Sequence, residues 1–531
     1  MARFALGLDF GTSSVRALLV DVDSGQEASS AVSPYASGEA GVVLSPSDPY
    51  VARQVPADYR VGCLDAIRAV LALSGPVEIV GIGVDTTAST PIPMGPGLTP
   101  LADNGDFSQE PATLAWLWKD HTSHEEAAEI TALAKARREP YLTKCGGSYS
   151  SEWYWSKLLR AARTAPAVFV AAETWLELQD YVPAWLCGEA RPVRGVCAAG
   201  HKGLWSPAWG GFPSAEFFAA LDPGLAAQAA KLDPVCQPCG TAAGGLCEEI
   251  ASATGLTPGT PVSVGGIDAH LGAVGVGIEP GTMVKIMGTS TCDILIGPGS
   301  GLEIEGVSGI VPGSVLPGLT GIEAGQAAVG DLLDWCVRLL GRGHEELTSL
   351  AQEAPPGSAG LVALDWNNGN RNVLADPTLT GVIAGATLGT GPGELYRALI
   401  EATAMGGRKI LERIADSGVS VDRIVVCGGA LARSPLMMQT YADVFARPMA
   451  VAATEHACAL GAAVCGAVAG RAHADFPSAL AAMASPVAKT YDPNPAAARL
   501  YDRLYVSYTH LHDEFGTGVL RGTLAALREL A

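Results

Sequence analysis

Phe4-Ala-Leu-Gly-Leu-Asp-Phe-Gly-Thr-Ser-Ser-Val-Arg-Ala-Leu-Leu-Val-Asp21 decides how the rest of the chain is read. Two apolar runs of strand length flank the tight turn Gly11-Thr-Ser13, and Asp23-Ser-Gly25 closes the second run. The segment is therefore a β-hairpin. P-loops and dinucleotide fingerprints both need a glycine-rich turn that opens a helix, so both of those nucleotide folds lose support. About half the chain further on, Met283-Val-Lys-Ile-Met-Gly-Thr-Ser-Thr-Cys-Asp-Ile-Leu-Ile296 repeats the pattern of strand, Gly288-Thr-Ser290, strand. An internal duplication follows. Two related lobes would present two donor-rich turns to a shared cleft, a pair able to hold a chain of phosphates from both sides.

The rest of the chain has an α/β pattern. Val77 to Val84 reads as a buried strand running into the polar turn Asp85-Thr-Thr-Ala-Ser-Thr90. Leu395 to Ala415 carries apolar residues at helical spacing and precedes the strand Arg423–Cys427, which stops at Gly428-Gly429. Ser434–Phe445, Ala457–Ala469 and Arg499–Phe515 read as further helices, the last two for packing, and Glu353–Gly360 as a loop. The boundary between the lobes is placed near Leu271, giving residues 1–271 and 272–531.

Composition narrows the function. The 531 residues suffice for two large lobes. With 34 Lys+Arg against 54 Asp+Glu the formal charge is −20, which speaks against a nucleic-acid partner. A hydrophobic content of 48% excludes wholesale disorder. Glycine is abundant, 64 residues, so a glycine pair alone is no motif. The twelve cysteines are scattered singly, as in a reduced cytoplasmic protein, and Cys236-Gln-Pro-Cys239 has no second pair to complete a metal site. The N-terminal apolar run is too short for a signal peptide, and no stretch reaches the roughly 20 apolar residues of a membrane span. A soluble cytoplasmic protein is the expectation.

Backbone N–H groups at a glycine turn, with the hydroxyls of Thr12, Ser13 and Ser14, suit anionic oxygens because several donors share one concavity. Asp9 beside them would repel such a ligand unless a hard cation lay between, which points to Mg²⁺; otherwise Asp9 merely caps the hairpin. Asp268 follows the strand Pro261–Val264 and opens a helix of small residues. It is either a helix cap or a general base that accepts a hydroxyl proton. In a loose phosphoryl-transfer transition state the proton leaves late, so orientation of the nucleophile outweighs basicity. Trp118-Lys-Asp-His-Thr122, Gly200-His-Lys202 and Gly321-Ile-Glu-Ala-Gly-Gln326 are polar clusters, each read alone as surface or packing. His121, His124, His201 and His270 are scattered without the spacing of metal ligands, and no nucleophile elbow is present.

Taken together these residues resemble the FGGY carbohydrate kinases, over nearly the whole chain. Gly7–Ala17 and Gly288–Asp293 are similar to the family's two phosphate motifs, and Gly428-Gly-Ala-Leu-Ala-Arg-Ser434 to its adenosine motif. Val84–Thr90, Trp118–His121, Tyr149–Trp153, Ala199–Trp205, Gly265–His270 and Leu364–Arg371 resemble more narrowly the L-ribulokinase branch. The resemblance implies an actin-like ATPase (ribonuclease H-like) fold of two lobes, with ATP and sugar in the cleft. It implies ATP-dependent phosphorylation of L-ribulose to L-ribulose 5-phosphate, in L-arabinose catabolism, with ATP and Mg²⁺ required. By the same resemblance Asp268 is the catalytic base. Ala88, Lys202, Asp268 and Glu323 line the ketopentose site. Gly11, Thr12, Ser13, Ser14, Gly288, Thr289, Ser290, Gly428, Gly429 and Ala430 contact the nucleotide, and Asp9 is the acid on the magnesium side. The partners implied are small molecules, with neither nucleic acid nor membrane, and a homodimer is allowed. The alternatives are a kinase for xylulose, D-ribulose or glycerol, and an actin- or chaperone-like ATPase without a sugar pocket.

Overall fold

Both predicted hairpins form, Arg3–Phe10 with Ser14–Asp21 and Gly281–Met287 with Thr291–Gly297, each at the heart of a seven-stranded mixed sheet. The structure, a computed structural model, describes residues 2–107, 110–299, 301–357 and 360–530. Residues 358 and 359 of the expected 353–360 loop lie outside the described residues.

The two sheets repeat one topology. In the first, Glu78–Thr86 runs parallel to Arg3–Phe10 on one side, while Ser14–Asp21 and then Glu27–Pro34 continue antiparallel on the other. In the second, Val421–Gly428 is parallel to Gly281–Met287, and Thr291–Gly297 and Thr320–Ala324 continue antiparallel. The match extends outward. Pro261–Ser263 follows in parallel and Ala242–Gly245 antiparallel in the first sheet, as Met449–Ala452 and Val487–Tyr491 do in the second.

The strand Arg3–Phe10 is apolar on both faces because both are covered: Ala5 joins one hydrophobic core, and Leu6, Leu8 and Phe10 another. What covers the Ala5 face is the helix Ala457–Ala469, from the C-terminal half of the chain. Its residues are small and apolar all round, as a wholly buried helix requires. It reaches the first sheet so closely that a Cβ at Gly7 would sit 1.9 Å from the Ala459 carbonyl oxygen, and one at Gly83 1.7 Å from that of Ala462. On its other side it packs on the helix Asp268–Gly275, which spans Leu271. The two halves of the chain are thus joined through this helix pair rather than through a linker alone.

The other predicted helices appear as Pro392–Asp416, Pro435–Phe445 and Pro495–Gly516. The predicted Asp85–Thr90 turn is corrected at its start. The strand continues through Thr86, which makes Asp85 a strand residue. Among the described residues no helix is long and apolar enough to cross a membrane, and all twelve cysteines are free.

Candidate functional site

Three carboxylates approach one another at one end of the first sheet. Asp9 and Asp85 are register partners on adjacent parallel strands, and Gly266, two residues before Asp268, pairs with Asp85 from the other side. Asp85 is fully buried and no donor reaches either of its carboxylate oxygens. Burial pushes its carboxyl well above the usual range, and the nearby Asp9 and Asp268 push it further. Asp9 is likewise raised by desolvation, partly offset by Arg16, whose Nη1 donates to it at 3.3 Å. Desolvation also carries Asp268 up to about 7, against the hydrogen bond its Oδ1 accepts from the Ala269 N–H at 2.7 Å. Asp268 is the first residue of its helix rather than the cap, since Ile267 holds the cap position. Asp9 and Asp85, side by side with both Asp85 oxygens lacking a donor, offer oxygen ligands of the kind a hard divalent cation takes.

The two glycine turns carry matching hydrogen bonds. Gly11 N–H donates to Ser14 O at 3.0 Å, and Gly288 N–H to Ser290 O at 2.9 Å. Neither glycine is forced by its own surroundings. The nearest atom to an added Cβ is 3.6 Å away at Gly11 and 3.7 Å at Gly288, and at Gly429 nothing lies within 4 Å. Gly429 opens onto empty space, and Gly11 and Gly288 leave room for a methyl group at ordinary contact distance. Gly428 differs. It has φ +128°, and its Cβ would strike the Met287 carbonyl 2.2 Å away, so the strand itself requires glycine there. Thr12, Ser13, Ser14, Thr289, Ser290 and Ala430 all keep some exposure. Behind the second turn the fully buried pair Lys285–Asp293, at 2.8 Å, ties the two strands together.

Lys202 and Glu323 meet although they come from different halves of the chain. Lys202 belongs to the helix Val196–Gly203, Glu323 to the strand Thr320–Ala324, and Lys202 Nζ donates to both carboxylate oxygens at 2.9 and 3.1 Å. Burial raises the Glu323 carboxyl, but Lys202, then His201 and His270, outweigh it and hold the group well below the usual range. The histidines expected to be scattered are therefore partly corrected. His201 Nδ1 and His270 Nε2 lie 3.2 and 3.5 Å from Glu323, and the two rings approach to 3.1 Å. The three could hold a metal ion between them, but the Lys202 ammonium already occupies both carboxylate oxygens, and a second cation beside it would be repelled. Burial keeps both imidazoles neutral, His270 lowered to about 4. His121 takes no part, bonding Ser151 instead. Ala88 lies on the loop just beyond Asp85, partly exposed.

Sequence reasoning missed Asp85, although the signal was present: an apolar strand running directly into an acid, as Asp9 ends the first strand. It also missed the supports. Trp118 Nε1 donates to Thr12 Oγ1 at 3.1 Å, and Tyr149 Oη donates to the Lys202 carbonyl at 2.6 Å. Asp120, read as part of a surface or packing cluster, is fully buried and pairs with Arg53.

Residues 4–275 match the family model described as the FGGY family of carbohydrate kinases, N-terminal domain, and residues 283–470 match its C-terminal domain. The chain is similar to a ribulokinase of Anoxybacillus flavithermus, 41% identical over 97% of this chain and 95% of that one. It is equally similar to a ribulokinase of Shouchella clausii, 41% identical over 100% and 99% of the two chains. Among solved structures, a xylulose kinase from Rhodospirillum rubrum superposes with TM-score 0.82 at 26% identity, over 97% of this chain and 99% of that one. The glycerol kinase of Plasmodium falciparum, at TM-score 0.78 and 14% identity over 96% and 98%, shares the fold. The architecture is the actin-like ATPase fold.

Proposed function

The chain belongs to the FGGY family of carbohydrate kinases, and from that premise we propose that it phosphorylates the 5-hydroxyl of L-ribulose with ATP, giving L-ribulose 5-phosphate for L-arabinose catabolism in the cytoplasm. The observation that carries the reading is the placement of Asp268. It lies within electrostatic reach of Asp9, which ends the first strand, and of the Lys202–Glu323 pair. Full-length similarity to proteins named ribulokinase supports the choice of sugar.

The residues divide the work as follows. Lobes 1–271 and 272–531 enclose the substrates. The N–H groups and hydroxyls at Gly11–Ser14 and Gly288–Ser290 bind the phosphates, and the open face at Gly429-Ala430 takes the adenosine. Ala88, Lys202 and Glu323 hold the ketopentose, the ammonium and carboxylate exchanging part of their mutual bonding for sugar hydroxyls. Asp268 orients the terminal hydroxyl and accepts its proton as the hydroxyl oxygen bonds to the γ-phosphorus. The bond from that phosphorus to the β,γ-bridging oxygen breaks, and ADP departs with the electron pair. Asp9 and Asp85 would hold Mg²⁺, which when bound neutralises charge on the phosphate oxygens. Water must be kept from the hydroxyl's position, because the same geometry would otherwise hydrolyse ATP.

The test is ADP formation with L-ribulose against D-ribulose, D-xylulose and glycerol. The fastest turnover is expected with L-ribulose. A preference for D-xylulose or glycerol would replace the sugar named here, and ADP formation indifferent to any of the four would replace the kinase reading.

A further inference from the structure

Lys157 lies in the helix Tyr154–Thr164, fully buried, and takes no part in the site described above. Its ammonium donates to three backbone carbonyls: Ser89 at 2.8 Å, Leu117 at 2.8 Å and Trp116 at 3.3 Å. An ammonium has three donors and no acceptor, so these three carbonyls saturate it. They come from two segments far apart in sequence. Ser89 immediately follows Ala88 on the sugar-facing loop. Trp116 and Leu117 lead into Trp118, whose indole N–H donates to Thr12 in the first phosphate turn.

A second buried ionisable group, Glu177, holds the same loop. Glu177 accepts hydrogen bonds from the Ser89 hydroxyl and, at 2.8 Å, from the Thr90 N–H. The next residue, Leu178, donates its N–H to Thr90 O at 3.1 Å. The Trp116 segment is also braced: Arg53 stacks on the Trp116 ring, 3.5 Å from its centroid, and pairs with the buried Asp120. Buried ionic groups of this kind add little stability that well-packed apolar residues could not match. Holding three carbonyl dipoles converged on one point is a different matter. Without a cation at that point the carbonyls repel one another and the two segments part.

We propose that Lys157, together with Glu177, is a positioning residue: it sets the separation between the sugar-facing loop at Ala88 and the phosphate turn at Thr12, and with it the distance from sugar hydroxyl to transferring phosphate. This rests on the assignment of the cleft to a ketopentose and ATP. A misplacement of about 1 Å at the reacting atoms costs roughly a hundredfold in rate. The arrangement is therefore a determinant of turnover and of coupling, although neither side chain touches a substrate.

The experiment compares Lys157→Met, Glu177→Ala and Glu177→Gln with the wild type. Coupled ADP detection and sugar phosphate formation are measured with L-ribulose, D-ribulose and D-xylulose, with thermal melting as the check on folding. Lys157→Met and Glu177→Ala should raise the KM for the preferred sugar roughly tenfold or more and lower kcat, while the KM for ATP stays within about threefold. ADP should also begin to exceed sugar phosphate. Glu177→Gln keeps an acceptor for the Thr90 N–H and a partner for the Ser89 hydroxyl, so it should recover most of the sugar KM. If Lys157→Met does not fold, the Glu177 pair carries the comparison. Folded variants with an unchanged sugar KM, or with kcat and both KM values altered no differently in Glu177→Gln and Glu177→Ala, overturn the inference alone. A wild type that phosphorylates none of the ketopentoses overturns the functional reading and this inference with it.

Discussion

Asp9 and Asp85 stand opposite each other in register on neighbouring parallel strands, at one end of the first sheet. Their carboxyl groups share a confined space with Asp268, and desolvation raises all three above the usual range. The ligand-free protein therefore carries an electrostatic cost at the place where a cation and a phosphate chain are proposed to bind.

Removing one of these charges should stabilise the empty protein while destroying its activity. A carboxyl whose pKa is raised by folding keeps its proton in the folded state after the unfolded chain has released it. Stability therefore falls as pH rises from the ordinary carboxyl value, 3.8, toward the folded value, about 7 for Asp268, and the penalty is complete above that. Asp85→Asn should raise Tm at pH 8 by a few degrees, change it little at pH 4, and reduce magnesium-dependent turnover by at least about a hundredfold. Melting curves at the two pH values, without ligand, check the sign. A Tm lowered at pH 8 would contradict the reading.

Asp268→Asn should lower kcat by about two to four orders of magnitude, the usual contribution of a positioned acid or base, with ATP affinity nearly unchanged. Retention of kcat within a few-fold would remove Asp268 from the role of base.

Glycines at close backbone contacts and glycines at the open turns should separate into two classes. Gly83→Ala and Gly461→Ala drive a methyl group to 1.7 Å from the backbone oxygens of Ala462 and Leu271. Each should cost about 1–3 kcal/mol or more, or prevent folding, because backbone on both sides cannot yield. Gly11→Ala and Gly429→Ala meet no protein atom closer than 3.6 Å. They should leave Tm within about a degree or two and raise the KM for ATP severalfold. Thermal melts and ATP titrations of the four variants distinguish the classes, and a destabilised Gly429→Ala would show that its surroundings are not the open space described.

Lys202 and Glu323 should be more costly to break than to remove together. Lys202→Met deprives the buried Glu323 carboxylate of its hydrogen-bonded cation, and loss of one member of such a pair commonly costs about 3–5 kcal/mol. The double variant Lys202→Met, Glu323→Gln should recover part of that stability without recovering sugar binding. Denaturant unfolding of the single and double variants measures it, and strictly additive losses would show that the two groups do not depend on each other.

The hairpins, the lobed duplication and the long helices were legible because each rests on local signals: apolar runs of strand length, small residues at a turn, and a period of 3.6 residues. Asp9, Asp268 and the glycine turns were legible for the same reason, lying next to those signals. Asp85 was placed one element too late because its turn was read as starting at the acid rather than after Thr86. Lys157 and Glu177 carry no signal at all. A lysine in an amphipathic helix ordinarily faces water, and only the packed structure shows this one enclosed by three carbonyls.

Sequence alone thus determined which elements form and that they come in two related sets, since backbone propensity and hydrophobic period act over a few residues. Tertiary structure decided which charges meet. Asp9, Asp85 and Asp268 come from three strands or strand ends, and Lys202 and Glu323 from different halves of the chain. Gly7 and Gly83, indistinguishable in a glycine-rich chain from any others, proved necessary because a helix more than 370 residues further along the chain rests against them. Electrostatics and excluded volume depend on distance in space, and only the fold converts separation along the chain into that distance.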